Sequence, residues 1–138
     1  MSDREIKRFR RIIYDKFDGR CAYCGQEIEI KDMQIDHIIP KKNFLMHIKN
    51  KWKIPEFLSR LTENNINHKD NLFPSCRVCN HWKDTFDIEA FRNEIECQVE
   101  RMNKFYPNYR RACRYGLIKE VPNDVIFWFE KHDMNENR

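Results

Sequence analysis

Between residues 3 and 17 the apolar positions Ile6, Phe9, Ile12, Ile13 and Phe17 recur at helical spacing, with arginines and lysines between them, and Gly19 supplies a stop. The pattern predicts a first helix within 1–19 that runs directly into Cys21-Ala22-Tyr23-Cys24-Gly25. Beyond it, Glu27–Ile30 and Met33–Ile39 read as two short strands with Lys31-Asp32 as the turn, and Pro40 ends the second. Residues 41–68 read as an insertion. Phe44, Leu45, Ile48 and Trp52 suggest one short helix there, and Phe57, Leu58 and Leu61 another after Pro55. The polar run from Thr62 to Asp70 is a loop that leads into Leu72-Phe73. After Cys79, the residues Ile88, Phe91, Ile95, Val99, Met102 and Tyr106 share one stripe, which predicts a single long helix over 87–106. Its other face carries Glu89, Glu94, Glu96 and Glu100. The apolar block Val125-Ile126-Phe127-Trp128-Phe129 is expected to pack onto the helical layer.

Three glycines and five prolines in 138 residues, with 41% apolar and 35% charged positions, point to a helix-rich α+β protein rather than a large sheet or a disordered chain. The length suits a single domain, 1–138: an N-terminal helix (1–19), a core (20–86) interrupted by the 41–68 insertion, and a helical C-terminal extension (87–138). The longest apolar run is far too short to cross a bilayer and the charged N-terminus lacks a signal core, so the expected location is cytoplasmic, with no membrane partner. The net charge of +4 is modest, so its distribution matters more. Residues 41–60 hold Lys41, Lys42, Lys49, Lys51, Lys53 and Arg60 against the single acid Glu56. Such a run is either a solvated face or a surface that tracks phosphates. Trp52 and Phe44, at helical spacing among these lysines, read as packing residues before stacking ones. The stretch from Asp84 to Glu100 is acidic on balance and reads as scaffold.

Two Cys-x-x-Cys pairs, Cys21/Cys24 and Cys76/Cys79, are separated by 51 residues. In a reducing compartment such pairs favour metal over disulfides, and a redox dithiol needs only one pair. Four thiolates close a tetrahedral site, so the expected metal is a structural Zn²⁺ that staples two distant segments. Cys97 and Cys113 are left over and read as ordinary thiols.

Between and after the pairs lie Gln34-Ile35-Asp36-His37-Ile38-Ile39-Pro40, then Asp70-Asn71-Leu72, then Cys79-Asn80-His81-Trp82-Lys83. This order resembles the HNH, or ββα-metal, endonucleases: a Cys-x-x-Cys-Gly knuckle, a strand ending in Asp-His-Ile-x-Pro, an Asn-Leu segment, and a Cys-x-x-Cys-Asn/His-x-x-Lys helix start. The resemblance spans Cys21 to Lys83, broken by the insertion. It implies a ββα-metal core stapled by a four-cysteine zinc, in a His-Asn-Asn variant because Asn80 stands where many members carry His. If the register slips by one, His81 takes that place, although one residue along a helix turns a side chain by about 100°.

Phosphodiester hydrolysis needs an activated water, charge neutralisation at the phosphate and a stabilised 3′ oxygen. An imidazole titrating near neutral pH can take the water's proton, and His37 is the candidate base. Asp36 and Asn80 are the candidate ligands of a hard divalent ion, Mg²⁺ or Mn²⁺. By the resemblance, Asn71 supports the base from the active-site loop. Neighbours on a strand face opposite ways, so Asp36 and His37 serve one site only if the strand bends or the ion sits at its edge. Lys41, Lys42, Lys49, Lys51, Lys53 and Lys83 are the candidate nucleic-acid contacts. The implied activity is hydrolysis of DNA, with RNA left open, to 5′-phosphate and 3′-hydroxyl ends. The competing class is a non-catalytic zinc module that binds nucleic acid or protein. A homodimer, or the nuclease subunit of a larger defence or restriction complex, is a further expectation, since no sequence-reading motif is present.

Overall fold

The computed structural model describes residues 2–49 and 55–136. It is helix-rich with one small two-stranded antiparallel sheet, the α+β build of a ββα-metal core. Helix α1 (Asp3–Asp15) begins on a capping box, in which the Ser2 hydroxyl accepts from the Glu5 amide and the Glu5 carboxylate accepts from the Ser2 amide. It ends at Asp15 with Lys16 as its C-cap, and the turn that follows closes on Gly19, whose φ of +75° leads the chain toward Cys21. Of its apolar stripe, Ile13 is buried with Met33 and Leu72, whereas Ile6 and Ile12 remain exposed.

Strand β1 (Gln34–His37) pairs with β2 (Leu72–Ser75), placing Asp36 opposite Phe73 and His37 opposite Leu72. The strand expected at Glu27–Ile30 is absent. Glu27 makes an isolated bridge to Arg20, and Ile30–Asp32 winds into a 3-10 turn. The cause lies in α1. The Tyr14 hydroxyl donates to the Ile28 carbonyl, and the Arg10 guanidinium to those of Ile30 and Met33, so acceptors that a ladder would use are already engaged.

Within the insertion, Lys41–Asn43 forms a 3-10 turn that leads into α2 (Phe44–Lys49), and Phe44 is buried as packing predicts. Lys51, Trp52 and Lys53 lie outside the described residues, as does the side chain of Lys49. The second predicted helix reduces to a 3-10 turn at Glu56–Leu58, with the Phe57 ring stacked on Phe73. Helix α3 (Arg77–Lys83) follows the second cysteine pair, and the short β2–α3 connection completes the core.

The described chain divides into two compact units, residues 1–88 with 126–138, and residues 89–125. The first is centred on an aromatic cluster. Phe73 packs 5.0 Å from Phe17 and 4.9 Å from Phe129, and Tyr23 sits edge-on to Phe127 at 5.6 Å. The block 125–129 contributes Phe127 and Phe129 to this cluster at the start of α7 (Trp128–Glu136).

The long helix expected over 87–106 is instead two: α4 (Ile88–Glu96) and α5 (Gln98–Phe105). The Gln98 side-chain amide donates to the Glu94 carbonyl at 2.8 Å, the acceptor that the Gln98 backbone N–H would use in a continuous helix. In the second unit, α5 packs beside α6 (Pro107–Arg114), which starts on a proline at its first position. Glu120 accepts from Asn103 and Tyr109 and holds the following irregular segment to both helices.

Candidate metal centre and active site

The four cysteines Cys21, Cys24, Cys76 and Cys79 present sulfur atoms that all lie within 4.8 Å of one another. Each pair is shaped by its own backbone. In the first, the Gly25 amide donates to the Cys21 carbonyl and the Cys21 amide to Gln26, closing a tight turn. In the second, Cys76 caps α3, its sulfur accepting from the Cys79 amide at 3.4 Å. The Ala22 amide donates to the Pro74 carbonyl, which docks the first turn against β2.

The electrostatics call for a cation. A hydrogen bond from Cys79 and backbone amides around the cluster draw Cys21 down to about 4, against the opposing effect of burial. Burial and the charges of Cys21 and Cys76 hold Cys24 up, at about 11, and the proton that Cys79 shares with Cys21 pushes Cys79 well above its ordinary range. One thiolate is therefore easy to form here and the next ones are costly, until a divalent ion neutralises them. Sulfurs at zinc–thiolate distances of about 2.3 Å would sit a little under 4 Å apart in a tetrahedron. Cys24 and Cys76 are 3.9 Å apart, so the residues fit a zinc ion. Cys97 and Cys113 are partly buried thiols outside this cluster.

Asp36 is nearly buried and faces the first cysteine turn. Its Oδ2 accepts from the Lys83 ammonium at 3.0 Å and from the Tyr23 hydroxyl. Burial, then the Asp36 charge and this hydrogen bond, push Tyr23 well above the usual phenol range, so it stays neutral and donates. Lys83 is fully buried and also donates to the His37 carbonyl at 3.0 Å. One ammonium thus ties Asp36 and His37 to α3. This corrects the reading of Lys83 as a nucleic-acid contact, because a lysine enclosed by protein does not reach a phosphate backbone. Lys41 and Lys42, by contrast, are exposed.

His37 is half-buried, and its Nε2 lies 2.8 Å from Asn67 Oδ1. An amide oxygen only accepts, so in the neutral ring the proton sits on Nε2 and the lone pair on Nδ1. Asn71 is fully buried and saturated: its amide donates to the carbonyls of Ile39 (3.1 Å) and Ile66 (2.9 Å), and its oxygen accepts from the Ile39 amide. It joins the exit of β1 to the loop that carries Asn67. Asn80 turns inward, its Nδ2 donating to Gln34 Oε1 at 2.6 Å, and Gln34 shares a strand face with Asp36. His81 is exposed on the outer side of α3 beside Arg77, Val78 and Trp82. Among the described residues, Asp36 Oδ1 and Asn80 Oδ1 have no hydrogen-bond donor, and two such oxygens suit a hard divalent ion.

Residues 21–53 match the family model of the HNH endonucleases. The HNH match covers the first cysteine turn and the Asp36-His37 pair, and it stops before Asn71 and the second cysteine pair. No curated protein and no solved structure matches the chain. Tyr23 and Asn67 are the functional neighbours that sequence reasoning missed. Tyr23 carried a signal, as the only polar ring inside the first Cys-x-x-Cys, whereas Asn67 sits unremarked in a polar loop.

Proposed function

We propose that the chain is a metal-dependent HNH endonuclease that hydrolyses DNA phosphodiester bonds, with its zinc held by Cys21, Cys24, Cys76 and Cys79. The observation that carries this reading is the Asp36-His37 pair at the end of β1. Lys83 ties Asp36 and the His37 carbonyl to the helix that presents Asn80, and the two neighbouring side chains serve one phosphate with the ion at the edge of the strand. His37 Nδ1 takes the proton of the attacking water, while Asn67 fixes the ring through Nε2. Asp36 and Asn80 would hold Mg²⁺ or Mn²⁺ through their side-chain oxygens, and such an ion would supply positive charge at the phosphate and at the departing 3′ oxygen. Asn71 keeps the loop and strand in register, and exposed Lys41 and Lys42 offer charge to the DNA backbone.

The test is conversion of supercoiled plasmid to nicked and linear forms across a Mg²⁺ and Mn²⁺ titration. His37→Ala is expected to lower the rate by about 10²- to 10⁴-fold, the range for a lost general base. Its zinc content and circular dichroism should equal those of the wild type. Cutting by His37→Ala at the wild-type rate removes His37 as the base. DNA binding without cutting in either metal by the wild-type protein favours the non-catalytic module.

A further inference from the structure

Residues 101–119 contain six cations, Arg101, Lys104, Arg110, Arg111, Arg114 and Lys119, and no Asp or Glu. All six are exposed. The acids of the same unit fall before and after this stretch: Glu89, Glu94, Glu96 and Glu100 on one side, Glu120 and Asp124 on the other. The unit is nearly neutral as a whole, yet its charge is segregated. Helix dipoles account for little of this. A cation or two in the last turn satisfies a C-terminus, and Arg111 and Arg114 already fill that role in α6.

The fold gathers these cations. On α6 the exposed positions 107, 110, 111 and 114 form one outward stripe, while Tyr109, Ala112 and Cys113 turn inward. The Arg110 guanidinium donates to the Asn103 and Lys104 carbonyls, so it caps α5 next to Lys104. Like charges placed side by side in this way create a local positive potential that attracts an anion. Arg101 has its partner in Glu94, but Lys104, Arg110, Arg111, Arg114 and Lys119 form no ion pair among the described residues. Interleaved with them are exposed rings: Phe105 (64%), Tyr106 (60%) and Tyr115 (80%). Arginines and lysines set among accessible aromatic faces suit a phosphodiester backbone whose bases are free to stack, and a duplex offers no such faces.

We propose that residues 101–119 form a binding surface for single-stranded nucleic acid, separate in chemistry from the site around His37. It deepens the endonuclease reading by supplying a substrate contact, but it does not require that the protein cut.

The test is fluorescence anisotropy with a labelled thymidine oligonucleotide and a duplex of equal length, over a salt series without added divalent ion. It uses the full chain carrying His37→Ala so that no substrate is lost. Arg110 is left in place because it caps α5. Lys104→Ala/Arg111→Ala/Arg114→Ala is expected to weaken single-strand binding at least tenfold. It should also flatten the plot of log affinity against log salt by about two, the change for three lost phosphate contacts on a single strand. Tyr106→Ala/Tyr115→Ala is expected to erase the preference for single strand over duplex while leaving the salt slope in place. Unchanged affinity and slope in the triple variant overturns the proposal, as does a parent protein that binds no oligonucleotide. Charge-dependent binding to vesicles of anionic lipid, with oligonucleotide binding unaffected by the same substitutions, overturns it in favour of a membrane surface. Failure of the plasmid to be nicked leaves these binding results standing, so the two readings fail separately.

Discussion

At the scale of single residues, Lys83 bears the most. Its buried ammonium donates hydrogen bonds to Asp36 and to the His37 carbonyl, and removing it leaves a carboxylate enclosed with only Tyr23 as donor. Lys83→Met is therefore expected to cost about 3–5 kcal/mol in urea denaturation, as for breaking one side of a buried pair. Tyr23→Phe keeps the ring contacts with Phe73, Phe127 and Phe129 and removes one hydrogen bond to a charged group. It should cost about 1.5–3 kcal/mol. Asp36 and His37 stood out in the chain as candidates because their types suit phosphodiester chemistry, and Asn71 because its place in the order matches the resemblance. The pairing of Lys83 with Asp36 was not legible there, since a sequence displays a charge without displaying whether the chain folds over it. Asn67 was hidden for a similar reason: its importance arises from a ring brought to it across the sheet.

Among the secondary-structure elements, the two cysteine turns and the antiparallel strand pair depend on local backbone geometry. Gly25 has φ +78°, and a Cβ there would meet Trp128 Cε3 at 2.9 Å. Gly25→Ala combines a left-handed backbone with a clash against a packed ring. It is expected to lower stability by about 1–2 kcal/mol from the backbone alone, read as a fall in melting temperature, and to loosen zinc retention in a chelator competition. The elements with clear periodicity, α1 and the helical stripe after Cys79, were correctly anticipated in type. Their limits were set by side chains the pattern does not weigh: Gln98 capturing the Glu94 carbonyl split one helix, and Tyr14 with Arg10 kept residues 28–33 out of the sheet. The true partner of β1 was present in the sequence as Leu72-Phe73, but the insertion put it beyond any local signal.

For the molecule as a whole, metal is expected to be part of folding. One zinc per chain should be found by atomic absorption, and Cys76→Ser should lose both the metal and the cleavage activity. Treating the wild type with a strong zinc chelator should raise amide exchange through residues 20–40 and 70–83, where the sulfur cluster ties the turn to β2 and α3. Retention of fold and activity by Cys76→Ser counts against the staple. The C-terminal segment adds a second tie of another kind: the amides of Trp128 and Phe129 donate to the carbonyls of Tyr23 and Ala22. Residues made early in synthesis thus wait for residues made more than a hundred positions later before the first cysteine turn has its full set of hydrogen bonds. On a ribosome the chain would complete this turn only after residues 128 and 129 emerge, so a truncation before 126 keeps all four cysteines but leaves the Ala22 and Tyr23 carbonyls between the first two without these donors.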